Sequence, residues 1–117
     1  MQKFNLSDMT GGWFVGDFAP AAFTTNKFEV CYKHHTKGED WDKHYHPVAT
    51  EINLLVRGKM KINDDLITAG EIFVILPMET VKPTFLEDCE LVVIKTPSLK
   101  GDKVCVYDEA PSYYTTR

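Results

Sequence analysis

"GEDWDKHYHPVATEINLLVRG", residues 38 to 58, carries two histidines one residue apart and a glutamate five residues beyond the second. In a strand, side chains at i and i+2 point the same way, so His44 and His46 would present both imidazoles to one side. Glu51 has the opposite parity and joins them only across a turn. "PVAT" (47–50) supplies that turn, with Pro47 ending the first strand because it cannot donate to a ladder. Glu51 then opens the next strand and faces the imidazoles from across the connection. Two imidazoles and a carboxylate on one side form the facial set that suits Fe(II), Mn, Ni, Co or Zn with positions left open. Tyr45, between the histidines, points away from them and reads as a packing residue.

On both sides of this stretch, short strand-like runs recur, each closed by a turn signal, and helical periodicity is scarce. "KFEVCYKHH" (27–35) alternates, with Phe28, Val30, Tyr32 and His34 on one face and Glu29, Cys31, Lys33 and His35 on the other. His34 follows three apolar neighbours and is expected to point inward. "EINLLVRGKMKI" (51–62) breaks at Gly58, which predicts a sharp bend or bulge. On that strand Asn53 and Arg57 share the face of Glu51, while Ile52, Leu54 and Val56 fill the other. "NDD" (63–65) and "AGE" (69–71) are turns, and "IFVIL" (72–76) stops at Pro77. "LVVIK" (91–95) and "VCVY" (104–107) complete a pattern that means an all-β sandwich or barrel.

The 117 residues fit one domain, and 44 % hydrophobic with 26 % charged residues is an ordinary soluble globular composition. No apolar run is long enough to span a bilayer, and the N-terminus lacks the apolar core of an export signal. Cys31, Cys89 and Cys105 form no close pair, so a disulfide framework is not expected and a reducing cytoplasm is the default location. Cys31 and Cys105 read as small core hydrophobes. A net charge of -4 argues against nucleic acid as partner and points to a small molecule. The stretch to about residue 26 is rich in aromatics and is expected to pack on the barrel or on a second subunit. The tyrosines of "APSYYTTR" (110–117) are expected to dock as well.

Gly38, His44, His46, Glu51 and Gly58 stand at every fixed position of the first cupin signature, G-x5-H-x-H-x3–4-E-x6-G, and the chain resembles a small single-domain cupin. The second signature, roughly G-x5–7-P-x-G-x2-H-x3-N, is matched in its first half by Gly70 and Pro77, with "EIFVIL" as the expected buried strand. Its second half departs. Glu79 replaces a glycine, Lys82 the third metal histidine, and Leu86 the asparagine. The resemblance implies a cupin-type double-stranded β-helix (jelly-roll β-barrel) with its core at about residues 28–107 and an N-terminal arm at 1–27. It also implies a homodimer and one divalent metal ion (Fe, Ni, Mn, Zn or Co) held by His44, His46 and Glu51. The implied activity is action on a small polar or anionic molecule, with dioxygenases and sugar isomerases among the family's reactions.

A lysine ammonium aimed at a dication repels it, so Lys82 leaves three arrangements open. The metal binds through His44, His46 and Glu51 with Lys82 turned aside. Or the site is metal-free, Lys82 pairs with Glu51, and the histidines act as acid and base in an isomerase or epimerase. Or another group, Glu79 or His34, replaces the missing histidine. His34, Asn53 and Lys82 are the candidate pocket residues, with Lys82 also a candidate for substrate charge or proton transfer. The alternative outside enzymology is a binding module that recognises a sugar-like molecule without turning it over.

Overall fold

The computed structural model describes residues 1–106 and, beyond them, the backbone of the strand Tyr113–Thr115; the side chains of the tail tyrosines lie outside the described residues. Strands β1 (Trp13–Gly16), β2 (Phe23–Thr24), β3 (Glu29–His35), β5 (Thr50–Arg57), β8 (Ile72–Ile75) and β10 (Cys89–Thr96) form one sheet in the order β2-β1-β3-β10-β5-β8. Two smaller sheets face it. One is β7-β6-β9, from β6 (Lys59–Ile62), β7 (Asp65–Thr68) and β9 (Pro83–Phe85). The other is β12-β11-β4, from β4 (His44–Tyr45), β11 (Val104–Val106) and β12 (Tyr113–Thr115). Isolated bridges Asp40↔Thr84 and His44↔Val81 tie the segment running into β4 to the one running into β9. The expected all-β barrel is therefore the observed architecture, and no helix among the described residues is long and apolar enough to cross a membrane.

Period-two burial defines the interior. Glu29, Cys31 and His35 on β3, Asn53 and Leu55 on β5, and Cys89, Leu91 and Val93 on β10 are all buried. One end of the interior is apolar, built on Leu55, Met60, Phe85, Cys89 and Leu91 with Trp41, Ile62, Ile67 and Phe73 packed around them. Burying Leu55 or Met60 contributes about 2–3 kcal/mol each by area. The other end, where β5 begins and β10 finishes, is polar.

Gly58 separates β5 from β6 with φ of +101°, and a Cβ there would lie 2.3 Å from the Asp88 carbonyl oxygen. Only glycine lets the chain leave the large sheet at that point. Within the N-terminal arm, β1 pairs with β3 through Trp13↔Cys31 and Val15↔Val30, so part of the arm belongs to the sheet itself.

Two expectations of orientation are corrected. The face of β3 bearing Val30, Tyr32 and His34 looks outward, and His34 is exposed. The strand of "EIFVIL" is buried on one face only: Ile75 is 4 % exposed and Phe73 packs on the core, while Ile72 and Val74, on the outer face at the edge of the large sheet, are exposed. Both errors have one cause. The outer face of the sheet is as apolar as the inner one, so hydrophobic alternation does not tell which side is in.

Candidate functional site

His44 is fixed by its backbone, which exchanges hydrogen bonds with Val81 at 2.9 and 2.8 Å on one side and pairs with Cys105 on the other. His46, two residues on, is 2 % exposed, and the two rings lie 5.5 Å apart at 81°. Each ring is oriented from behind. The Nδ1–H of His44 donates to the Asp42 carbonyl at 2.9 Å, and the Nδ1–H of His46 donates to the Asp102 carbonyl. A carbonyl can only accept, so Nδ1 carries the proton and a neutral ring leaves Nε2 bare. Burial lowers the proton affinity of both rings. For His46 the Lys95 charge adds to that effect, and for His44 the Lys103 charge does so.

Asp102 is the site residue the sequence motif does not show. Its carboxylate accepts from the backbone N–H of Val48 at 3.1 Å and of Ala49 at 2.8 Å, which pins the turn after Pro47. Its own carbonyl holds His46. One residue, more than fifty positions away in sequence, thereby sets both the turn and an imidazole.

Across the turn, Glu51 comes to His46. Glu51 Oε1 stands 3.9 Å from His46 Nε2, and Asn53, itself buried, donates to Oε2 at 3.3 Å. Both contacts are long for a carboxylate. The donor chemistry fits a divalent metal: two bare imidazole nitrogens and a carboxylate on one interior surface. The spacing is looser than that of an assembled site. Among the described residues no group of three or more His, Cys, Asp or Glu side chains stands close enough to count as one.

Lys82 does not enter this group. Its Nζ donates to the Trp41 carbonyl at 2.5 Å and to Asp40 Oδ1 at 3.3 Å, with the side chain 44 % exposed. Glu79 is also elsewhere, accepting from the Leu76 backbone N–H in its own turn. His34 lines an open cleft of about 530 Å³ between the N-terminal turns and β3, on the far side of that strand from Glu51. Of the candidate pocket residues His34, Asn53 and Lys82, the structure brings Asn53 to Glu51 and the other two elsewhere. Cys31, on the interior face nearby, is held protonated by burial, its thiol pushed up to about 11.

No protein-family model matches the sequence, and no curated protein matches it either. Solved structures do. A Klebsiella pneumoniae protein described as having a double-stranded β-helix domain matches with TM-score 0.62 at 19 % identity, over 70 % of this chain and 72 % of that one. The DMSP lyase of Ruegeria pomeroyi matches with TM-score 0.67 at 16 % identity, over 82 % and 50 %. An RmlC-like cupin from Ralstonia eutropha matches with TM-score 0.62 at 15 % identity, over 78 % and 60 %.

Proposed function

With the cupin double-stranded β-helix as the fold of this chain, we propose that it binds one divalent metal ion through His44, His46 and Glu51 and acts on a small polar or anionic molecule there. The observation that carries this reading is the pair of buried imidazoles whose Nδ1–H groups are committed to backbone carbonyls while Nε2 stays bare beside a loosely held carboxylate. Backing of this kind is how proteins orient metal-ligating histidines. Fe, Ni, Mn, Zn and Co all suit the donor set. A bound metal would polarise an oxygen of the small molecule. The chain's own residues supply the rest: Asn53 steers Glu51, Asp102 fixes His46, and the buried walls keep bulk water from the donors. Among the matched structures is a lyase, so catalysis is compatible with the fold without being implied by it.

The test is elemental analysis of untagged protein beside the His44→Ala, His46→Ala double variant. Metal near one equivalent in the wild type and none in the variant supports the reading; two empty proteins that also resist loading overturn it. A metal-free acid–base site is the second reading, favoured by the 3.9 Å gap between His46 and Glu51. Substrate panels then separate an enzyme from a binding module. A homodimer is part of the proposal, because Leu54, Val56, Ile72 and Val74 leave an apolar outer face on β5 and β8. Light scattering that finds a monomer at micromolar concentration would remove it.

A further inference from the structure

Glu29 is a buried carboxylate that the motif leaves unexplained. It is 2 % exposed and shares the inward parity of Cys31 on β3. In register it stands opposite Lys95 on β10, which in turn stands opposite Glu51 on β5. Directly opposed residues of antiparallel strands point the same way, so Glu29 and Glu51 share the inner wall two strand spacings, about 10 Å, apart. The Cys31 thiol, raised first by burial, feels the charges of Lys33 and Lys95 and then of both carboxylates. The N-terminal arm closes in on the other side of Glu29. A Cβ on Gly16 would strike the Phe18 ring and lie 2.9 Å from the Glu29 Cβ, so a glycine there lets the ring lie beside the Glu29 stem.

A carboxylate in such a place is normally matched with donors, as Asp102 is with Val48 and Ala49, and Glu39 with His35, Thr36 and Trp41. Glu29 is not. Among the described residues it makes no hydrogen bond and no ion pair. The ammonium groups nearest its row are drawn to the Trp13 ring, Lys95 at 5.1 Å and Lys33 at 6.0 Å from its centroid, and Lys33 also donates to the Gly11 carbonyl. No described side-chain oxygen is both enclosed and unsatisfied, so the slight exposure Glu29 keeps lies at its carboxylate. We infer that Glu29 is a specificity-determining residue of the histidine site. It receives a hydrogen-bond donor, a hydroxyl or an ammonium, at the end of the bound molecule remote from His44 and His46. The molecule is that of the site proposed above, so the inference rests on that reading, but the state of the carboxylate is measurable without it.

Urea unfolding of the metal-free protein tests the carboxylate alone. A buried charge with no partner in the fold costs stability, so Glu29→Gln and Glu29→Leu should both raise the unfolding midpoint. A lowered midpoint, or variants that fail to fold, would show Glu29 paired inside the fold and overturn the inference. Butyrate, γ-hydroxybutyrate and γ-aminobutyrate, alike but for the far end, are then titrated calorimetrically into wild type and Glu29→Leu after exposure to zinc, with zinc content measured for each. Wild type should bind one donor-tipped probe about tenfold or more tighter than butyrate, the scale of one charge-assisted hydrogen bond, and Glu29→Leu should lose that margin. The tighter tip names the donor. The same margin in the variant, or none in wild type, overturns the inference. Zinc content decides the metal reading separately. A Glu29-dependent margin in protein that takes up no zinc would uphold Glu29 while the metal reading fails, and zinc-loaded protein without a margin would do the reverse.

Discussion

Among the described residues two histidine–glutamate pairs sit in this barrel, and they are opposites. His35 and Glu39 meet at 2.8 Å near the apolar end. Glu39 also accepts from the Thr36 backbone N–H at 2.8 Å and from the Trp41 indole N–H at 2.7 Å. The His35 ring is stacked on Phe85 at 4.2 Å and meets Trp41 edge-on. Partial burial works against the Glu39 charge, but these donors outweigh it and hold the carboxyl down at about 2. His46 and Glu51, at the polar end, stand 3.9 Å apart, and the Asn53 amide donates to the carboxylate at 3.3 Å. A pair that has spent its lone pairs on its neighbours is holding the fold together. A pair that keeps them is available to something else.

Removing the two glutamates separates the roles most sharply. Glu51→Ala should weaken zinc binding by about a hundredfold or more, read by chelator competition, because on the proposed reading it deletes a ligand outright. Glu39→Ala should leave zinc affinity unchanged; a loss there would erase the distinction between the pairs. Stability should move the other way. Glu39→Ala strands the His35 and Trp41 donors and should cost about 2–4 kcal/mol in urea unfolding. Glu51→Ala removes a carboxylate that the Asn53 amide holds at 3.3 Å and should change stability by less than about 1 kcal/mol.

The contrast also explains what could be read without coordinates. His44, His46 and Glu51 were legible because their relation is local: a two-residue repeat, a turn and a strand start. Asn53 followed from Glu51 by parity. Asp102, Lys95 and Glu29 were not legible, because their approach depends on strand register between segments about forty to seventy residues apart. His34 was misplaced because the apolar face of β3 is the outer one, while the inner face carries the buried Glu29 and His35. An interior that carries polar groups departs from the hydrophobic-in rule on which the reading of β3 rested.

Acid sharpens the comparison further. Glu39 carries a folded-state value of about 2 against an unfolded one near 4.5, so the folded state prefers the ionised form. Its contribution is complete above the unfolded value and is lost as pH falls through the folded one. Burial holds His35, His44 and His46 below their ordinary value, so unfolding takes up protons there and stability falls as pH drops below about 6.5. Wild type should therefore weaken in two stages on acidification. Glu39→Gln should flatten the lower stage between about pH 4.5 and about pH 2. The change should be about 1 kcal/mol, reduced from the full linkage value because the carboxylate is partly open to solvent. An unchanged lower stage would mean that Glu39 is not the pinned carboxylate.

The smallest effect belongs to the residue the motif made most conspicuous. Lys82 occupies the sequence position of a metal histidine, yet its ammonium ties down the backbone at Trp41 and reaches Asp40 beside it. That segment leads from Glu39 to His44, so Lys82 braces the loop between the two pairs and belongs to neither. With the side chain 44 % exposed, its ion pair with Asp40 is weak. Lys82→Met should change stability by about 0.5 kcal/mol and zinc affinity by less than about twofold. A rise in zinc affinity comparable to that expected from clearing a cation out of the site would place the Lys82 ammonium among the donors in solution. The loose pair would then owe its open geometry to that lysine, and its resemblance to a metal site would be a matter of spacing alone.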